Sequence, residues 1–337
     1  MRSTQAARSE RAKLIAAFTA VYVVWGSTYF AIKVAVETIP PLTAAGVRFV
    51  LAGVILFGWA RFRGAPWPTR AQWLNLGRLG ALMFLPTYAA LFWAERTVPS
   101  GISAVLVATL PLLTILIEAG VLKRRRATPV LMLALVAGLV GVILPSVGAP
   151  DTAHPVAWLP SIAVVVAEVF WAIGSVITPR VDLPATSTLT AGGEMLCGGC
   201  LLLLAAAALG EWRAVHPPTL AGIGAMAYMI VAGSIVAFNS YVWLLGRTSA
   251  TSLSSYTYVN PVVALAIGYQ FGGEHLTPHA LSGSLLVLTS VVLVQRLTKR
   301  GGPARQGDRM EQRASSTSGK DPSLDAVFVT DRSSLEL

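Results

Sequence analysis

The stretch VWGSTYFAIKVAVETIPPLTAAGVRF, Val24 to Phe49, decides the fold class. It leaves one apolar segment, turns at Pro40-Pro41, and enters a second apolar segment that carries Arg48. A guanidinium at the centre of a hydrocarbon layer costs about 3 kcal/mol or more, so it faces a protein interior or a wet cavity. The remainder of the chain reads as helices that enclose such a cavity.

Composition agrees. Hydrophobic residues make up 54% of the chain and charged ones 12%, about half the share of a soluble domain. A mean hydropathy of +0.65 leaves few helices a water-facing side, which makes this an integral membrane protein. The net charge of +10 does not point to nucleic acid, because the basic residues sit in short segments between apolar runs, above all Lys123-Arg124-Arg125-Arg126.

A crossing needs about 20 mainly apolar residues. That window gives ten candidates, near 14–34, 41–61, 72–94, 99–121, 129–147, 157–178, 186–209, 219–244, 250–270 and 278–297. The basic flank before the first run (Arg2, Arg8, Arg11, Lys13) resembles a signal peptide, but no small-residue cleavage site follows and the segment is read as a retained helix. With the N-terminus inside, one side of the membrane holds that flank, Arg61, Arg63, Arg70, the run at 123–126, Arg180, Arg247, Arg296, Lys299 and Arg300. The other side holds only Lys33, Arg96 and Arg213, so both termini are expected in the cytoplasm of a multi-pass cell-membrane protein. The tail beyond 297 is rich in Gly, Ser, Arg and Asp without apolar periodicity, and is expected to be disordered.

The chain also repeats. Val24-Trp25 matches Phe170-Trp171 at an offset of 146, which also carries Gly46-x-Arg48 onto Gly192-x-Glu194 and Gly53 onto Gly199. Arg96-Thr97 matches Arg247-Thr248, Ser103 matches Ser254, and Pro111 matches Pro261 at offsets of 150 to 151. Five crossings per half is an odd number, so the second half must enter the membrane upside down. Inverted repeats put a substrate site near the midplane between the halves and are typical of secondary transporters. The expected organisation is an all-α membrane protein of ten helices: segment 1–13, a first five-helix repeat 14–147, a second 157–297, and a tail 298–337.

At these residues the chain resembles the EamA-like drug/metabolite transporters, and within them the exporter branch. The resemblance rests on WGSTYFAIKVAVETIPPLTAAGVRF at 25–49, ALFWAERTVPSGISAVLVATLPLLTIL at 90–116 and YVWLLGRTSATSLSSYTYVNPVVALAIGYQFGGEHLTP at 241–278. It covers about 14–297 and implies the EamA-like fold and an exporter of metabolites, amino acids or drugs. One feature departs from the family pattern. The acidic residue that ends the fourth helix of a repeat is present in the second half as Glu274, while the first half has the basic run 123–126 there.

Several residues are candidates for the chemistry. Arg48 reads as an anchor for an anion or carboxylate, or as half of an ion pair that holds two helices together. Glu194 stands at the repeat position of Arg48 and Glu168 lies mid-span, so either is a candidate proton carrier or the partner of Arg48. For Glu194 the ion pair is favoured. Trp25, Ser27, Tyr29, Tyr88, Trp171, Asn239, Tyr258 and Asn260 are candidate walls of a cavity for amphipathic organic molecules, since flat rings bind flat ligands and amides orient them. Asn260 precedes Pro261, which frees a backbone carbonyl, as Pro86 and Pro111 would in their helices. Glu118, one turn before the basic run, is explained by snorkelling to the interface.

Other chemistries find little material. All four histidines (His154, His216, His275, His279) fall in or beside loops, and Cys197 and Cys200 sit inside an apolar run as small packing residues. There is no P-loop, no HExxH and no metal-ligand spacing, so neither cofactor nor metal is expected and the chain is not read as an enzyme. The leading expectation is export of a small-molecule substrate by alternating access with proton exchange. The alternatives are an uncoupled facilitative permease or importer, a non-transporting membrane partner, or a membrane enzyme. The expected partners are the substrate and the lipid bilayer, with no nucleic acid, and a homodimer is left open.

Overall fold

In the computed structural model, the residues described are 2–122, 157–214 and 217–274, with isolated helical positions between 133 and 140 and between 278 and 292. They fall within one compact unit, Met1–Val294. Among them every regular element is helical, and seven helices are long and apolar enough to cross a membrane. These are α1 (Arg8–Val36), α2 (Pro41–Phe62), α3 (Arg70–Ala94), α4 (Ser100–Glu118), α5 (Trp158–Arg180), α6 (Ser187–Ala208) and α7 (Leu220–Leu245). An eighth, α8, runs from Ala250 to Phe271 in three pieces. The candidate crossings at 129–147 and 278–297, the basic run 123–126, the four histidines and the tail lie outside the described residues, isolated positions aside.

Local chemistry sets the helix ends. Pro41 opens α2 with a fixed φ and no amide to leave unsatisfied. Thr69 and Gln72 form a reciprocal capping box at α3, and Thr186 and Thr219 accept from Leu189 and Gly222 amides to start α6 and α7. Two more N-termini are capped from far along the chain. Glu211 accepts from the Leu42 and Thr43 amides, and Glu274 accepts from the Ser100 amide at 2.9 Å. A carboxylate there meets both free amides and the positive end of the helix dipole. Gly64, Gly210 and Gly273 take positive φ and close α2, α6 and α8.

Three helices contain π-helical turns: Ala20–Val24 in α1, Gly80–Phe84 in α3 and Met229–Phe238 in α7. Such a turn admits an extra residue and loosens the backbone ladder. Two helices break ahead of a proline. α4 is interrupted at Ala108-Thr109 before Pro111, and α8 at Val259 before Pro261. Proline has no amide hydrogen to bond the carbonyl four residues back, here Val107 and Thr257, and its ring crowds that turn, which loosens the helix just ahead of it.

α2 and α6 cross at the closest range, and glycine is the reason. A Cβ on Gly192 would stand 2.6 Å from the Phe57 nitrogen, and one on Gly199 would stand 2.8 Å from the Val50 nitrogen. A Cβ on Gly53 would stand 3.0 Å from the Gly192 carbonyl oxygen, and one on Gly199 would stand 3.1 Å from that of Gly46. Lipid provides no hydrophobic drive between helices, so close backbone packing of this kind has to supply the association. The outer faces carry Leu51, Val54, Ile55, Ile162, Val166, Phe170, Val231 and Val236, all exposed. An exposed apolar belt of that extent is what a hydrocarbon environment selects.

Candidate functional site

The interior between α1, α2, α3, α5, α7 and α8 is aromatic. Trp25 lies edge-on to Trp171 (5.9 Å between centroids) and to Tyr256 (4.8 Å), and tilted against Tyr241 (5.1 Å). Phe49, Phe84, Tyr88 and Phe238 extend the same set, with Phe49 and Tyr88 4.3 Å apart. The polar edges of these rings are occupied. Trp171 Nε1 donates to the Tyr241 hydroxyl at 3.1 Å, and Ser175 shares a 2.6 Å bond with that hydroxyl. Trp25 Nε1 donates to the carbonyl of Gly233 at 3.0 Å, inside the π-helical turn of α7.

Arg48 enters this set from α2 and is almost wholly buried, at 1% exposure. Its Nε donates to Ser234 Oγ at 2.9 Å, and its Nη1 points to Met229 Sδ at 3.6 Å. The guanidinium lies over the Phe49 ring at 4.8 Å and the Tyr88 ring at 5.7 Å, so ring quadrupoles supply part of its compensation. No carboxylate comes within 4 Å of it among the described residues. Glu168, on α5, is 2% exposed and takes no hydrogen bond from a described residue.

Both groups face one small cavity. It measures about 40 Å³ and is lined by Trp25, Thr28, Tyr29, Ile32, Arg48, Thr87, Tyr88, Leu91, Val107, Glu168, Trp171 and Tyr256. That is room for about one water molecule. A fixed cation and a free carboxylate therefore face one space lined by rings. A larger crevice, about 580 Å³, lies between α2 and α7 on the flank of the bundle. Its walls are mostly exposed apolar side chains such as Val54, Ile55, Trp59 and Phe62, and it has no ionisable group. The small central cavity is the candidate site on chemical grounds.

The EamA-like transporter family matches this chain twice, over residues 12–147 and 158–296. The chain belongs to that family. It is a multi-pass membrane transporter of EamA type. Relatives agree: the uncharacterized inner membrane transporter YedA of Escherichia coli is 36% identical over 284 residues, 83% of this chain and 90% of its own. A protein of Streptantibioticus cattleyicolor named as a probable terminal-alkyne amino-acid exporter is 26% identical over 85% of this chain and 94% of its own. A solved crystal structure has the same fold, with a TM-score of 0.60 at 20% identity, covering 86% of this chain and 98% of its own.

Within this EamA-type transporter the structure sorts the sequence candidates. Trp25, Tyr29, Arg48, Tyr88, Trp171 and Glu168 line one cavity. Ser27 points elsewhere, bonding the partly exposed Tyr228 hydroxyl at 2.5 Å. Asn239 lines the flank crevice. Asn260 is fully buried, and with its amide oxygen and nitrogen exchanged, the orientation its surroundings favour, the nitrogen donates to the Tyr22 and Tyr256 carbonyls at 2.9 and 3.1 Å, tying the π-helical turn of α1 to α8. Tyr258 is half-buried and is not among the cavity-lining residues.

Glu194 also lies off the cavity lining. It is 1% exposed with Oε1 unpartnered, and the expected ion pair with Arg48 is not formed. The physical reason is the crossing of α2 and α6. Each helix presents its glycines to the other, which turns Arg48 toward α7 and the Glu194 backbone toward Gly80 of α3. Glu118 does more than snorkel, since it accepts from the Thr251 hydroxyl at 2.7 Å.

The sequence reading missed Thr28, Ile32, Thr87, Leu91 and Val107, whose types mark them only as membrane-helix residues. It also missed Glu95, a carboxylate 2% exposed just beyond α3. Its place beside Arg96-Thr97, at the end of an apolar run, reads as an ordinary interfacial charge.

Proposed function

We propose that this protein is a secondary transporter that exports small amphipathic organic molecules by alternating access. Amino-acid-like zwitterions are the substrate class that fits best. One observation carries the reading: the unpaired Arg48 and the unpartnered Glu168 face a single small cavity walled by Trp25, Tyr29, Tyr88 and Trp171. A carboxylate would go to the guanidinium. An ammonium group would go to Glu168 and to the ring faces, which attract cations. At about 40 Å³ the cavity must widen before it can hold an organic molecule, a change that alternating access would supply. The name of the amino-acid exporter relative supports both direction and class.

Two inverted five-helix halves, 14–147 and 157–297, provide the alternation. Paired features support the symmetry. The glycine contacts Gly46–Gly199 and Gly53–Gly192 exchange with each other under the 146-residue offset, as a two-fold axis between antiparallel helices requires. The breaks before Pro111 and Pro261, and the π-helical turns at Gly80–Phe84 and Met229–Phe238, recur at the offset of about 150. The termini are assigned to the cytoplasm from the distribution of Lys and Arg. Glu168 is the candidate proton carrier for coupling, since a buried carboxylate without an ion-pair partner is free to exchange a proton as its surroundings change during the cycle.

The test is counterflow in proteoliposomes with a panel of amino acids and of cationic and anionic aromatic compounds. Arg48→Ala should abolish saturable exchange in protein that still folds. Glu168→Gln should lose accumulation driven by a pH gradient while exchange survives. If no compound moves, or if Arg48→Ala transports like wild type, the reading fails.

A further inference from the structure

Away from the cavity, at the end of the bundle where α1 finishes, a second polar cluster lies mostly buried among apolar helices, with Lys33 partly exposed. Lys33 of α1 bonds Glu274, beyond α8, at 2.6 Å. Glu274 also accepts from the Ser100 and Gly101 amides at the start of α4, at 2.9 and 3.4 Å. Gly268 of α8 leaves the space this carboxylate needs: a Cβ there would collide with Glu274 Oε2 and stand 3.0 Å from Ser100 Oγ. Lys33 and Glu274 therefore compensate one another.

Glu95 faces the same cluster without such compensation. Neither of its oxygens has a hydrogen bond of ordinary geometry among the described residues, nor do the fully buried hydroxyls of Ser100 and Ser103, although the Ser103 hydroxyl lies close enough to favour the charged form. The charged and titratable groups that act on it are Glu274, Lys33 and Tyr29; Arg96 beside it is exposed, and His275 lies outside the described residues. As an anion, Glu95 would be a second negative charge beside Glu274 with one ammonium between them. An uncompensated buried carboxylate costs several kcal/mol, and a proton removes that cost. Burial pushes the Glu95 carboxyl well above the usual range, the Glu274 charge adds to this, and Ser103 and Lys33 act in the opposite direction.

Tyr29 links this cluster to the cavity. It lines the cavity and lies within electrostatic reach of both Glu168 and Glu95.

We propose that Glu95 is a proton-binding site in this seal: it holds a proton while the α1–α4–α8 end is closed, and releases it to water as Lys33 moves from Glu274 to Glu95 on opening. Resealing takes the proton back from water and returns Lys33 to Glu274, so one proton is bound per closure. The sign follows from the raised carboxyl: low pH favours the sealed form, and rising pH favours the open one. This gating role rests on the alternating-access reading above, whereas the protonation of Glu95 does not.

Two measurements on the full chain in liposomes separate them. Infrared difference spectra, titrated between about pH 5 and 9, should show a carboxylic-acid band that disappears as pH rises and is missing from Glu95→Gln. Glu274→Gln should move that band's titration to lower pH, because Lys33 is then free to pair with Glu95. In counterflow, Glu95→Gln should lose the pH dependence of exchange that persists in Glu168→Gln. Bands identical in wild type and Glu95→Gln, or a titration unmoved by Glu274→Gln, would overturn the proton site. A Glu95 band that behaves as expected in a protein that moves no compound would keep the site and sink the transport reading instead.

Discussion

The α2–α6 crossing makes the sharpest structural prediction. Alanine at Gly192 would place a Cβ 2.6 Å from the Phe57 nitrogen, and alanine at Gly199 would place one 2.8 Å from the Val50 nitrogen. Ordinary contact needs roughly 3.5 Å, so the helix axes must part by about 1 Å. The obstacle is backbone in both cases, and no side-chain rotation relieves it. Overpacking of this kind costs about 1–3 kcal/mol. Gly192→Ala and Gly199→Ala should each fall in that range, while Gly77→Ala and Gly224→Ala, where a new Cβ meets nothing within 4 Å, serve as neutral controls. The double variant should cost clearly less than the sum of the singles, because one separation of the helices accommodates both methyls. Apparent melting of the purified protein in one detergent, followed by loss of the monodisperse species, ranks all five. The reasoning is refuted if Gly192→Ala melts with the Gly77→Ala control, or if the two costs add in full.

Other predictions test the site. Gly233→Ala would set a Cβ 2.8 Å from Arg48 Nη2 and displace the guanidinium from Ser234, a charged hydrogen bond of about 1.5–3 kcal/mol. Counterflow should weaken roughly 10- to 100-fold, since about 1.4 kcal/mol is a factor of ten, with little change in melting; unchanged exchange would show that Arg48 placement is irrelevant. Tyr241→Phe removes the partner of Trp171 Nε1, while Ser175 Oγ keeps its bond to the Trp171 carbonyl, and should lower stability by about 1–3 kcal/mol through the unpaired indole. Equal melting would mean that the indole finds another acceptor. Glu274→Gln removes the Lys33 pair and weakens the cap on α4, and its melting should drop by more than that of Lys33→Met, which leaves the cap in place. The reverse order would assign the stabilisation to the ion pair alone.

What the sequence determined by itself was the membrane class, the position of the seven crossings found among the described residues and the family, because each depends on chemistry that survives without coordinates. Twenty apolar residues in a row have one economical fate, and Pro40-Pro41 or Thr69 with Gln72 mark helix ends through local bonds. Arg48 was legible because a charge at that depth needs an enclosed or wet place. The tertiary structure decided which neighbours each helix face meets. Lipid and protein interior are equally apolar, so a membrane helix carries little periodic signal of what it faces. Ser27 and Trp25 look alike in sequence, yet two residues of helical rotation send one to Tyr228 near the exposed flank and the other into the aromatic cluster. Asn239 and Asn260 are both amides at helix breaks or bulges. One lines a flank crevice and the other is used up by two carbonyls. Glu194 and Glu95 changed places for the same reason: glycine-driven packing of α2 on α6 keeps the first off the cavity, and the convergence of α1, α4 and α8 encloses the second without a partner.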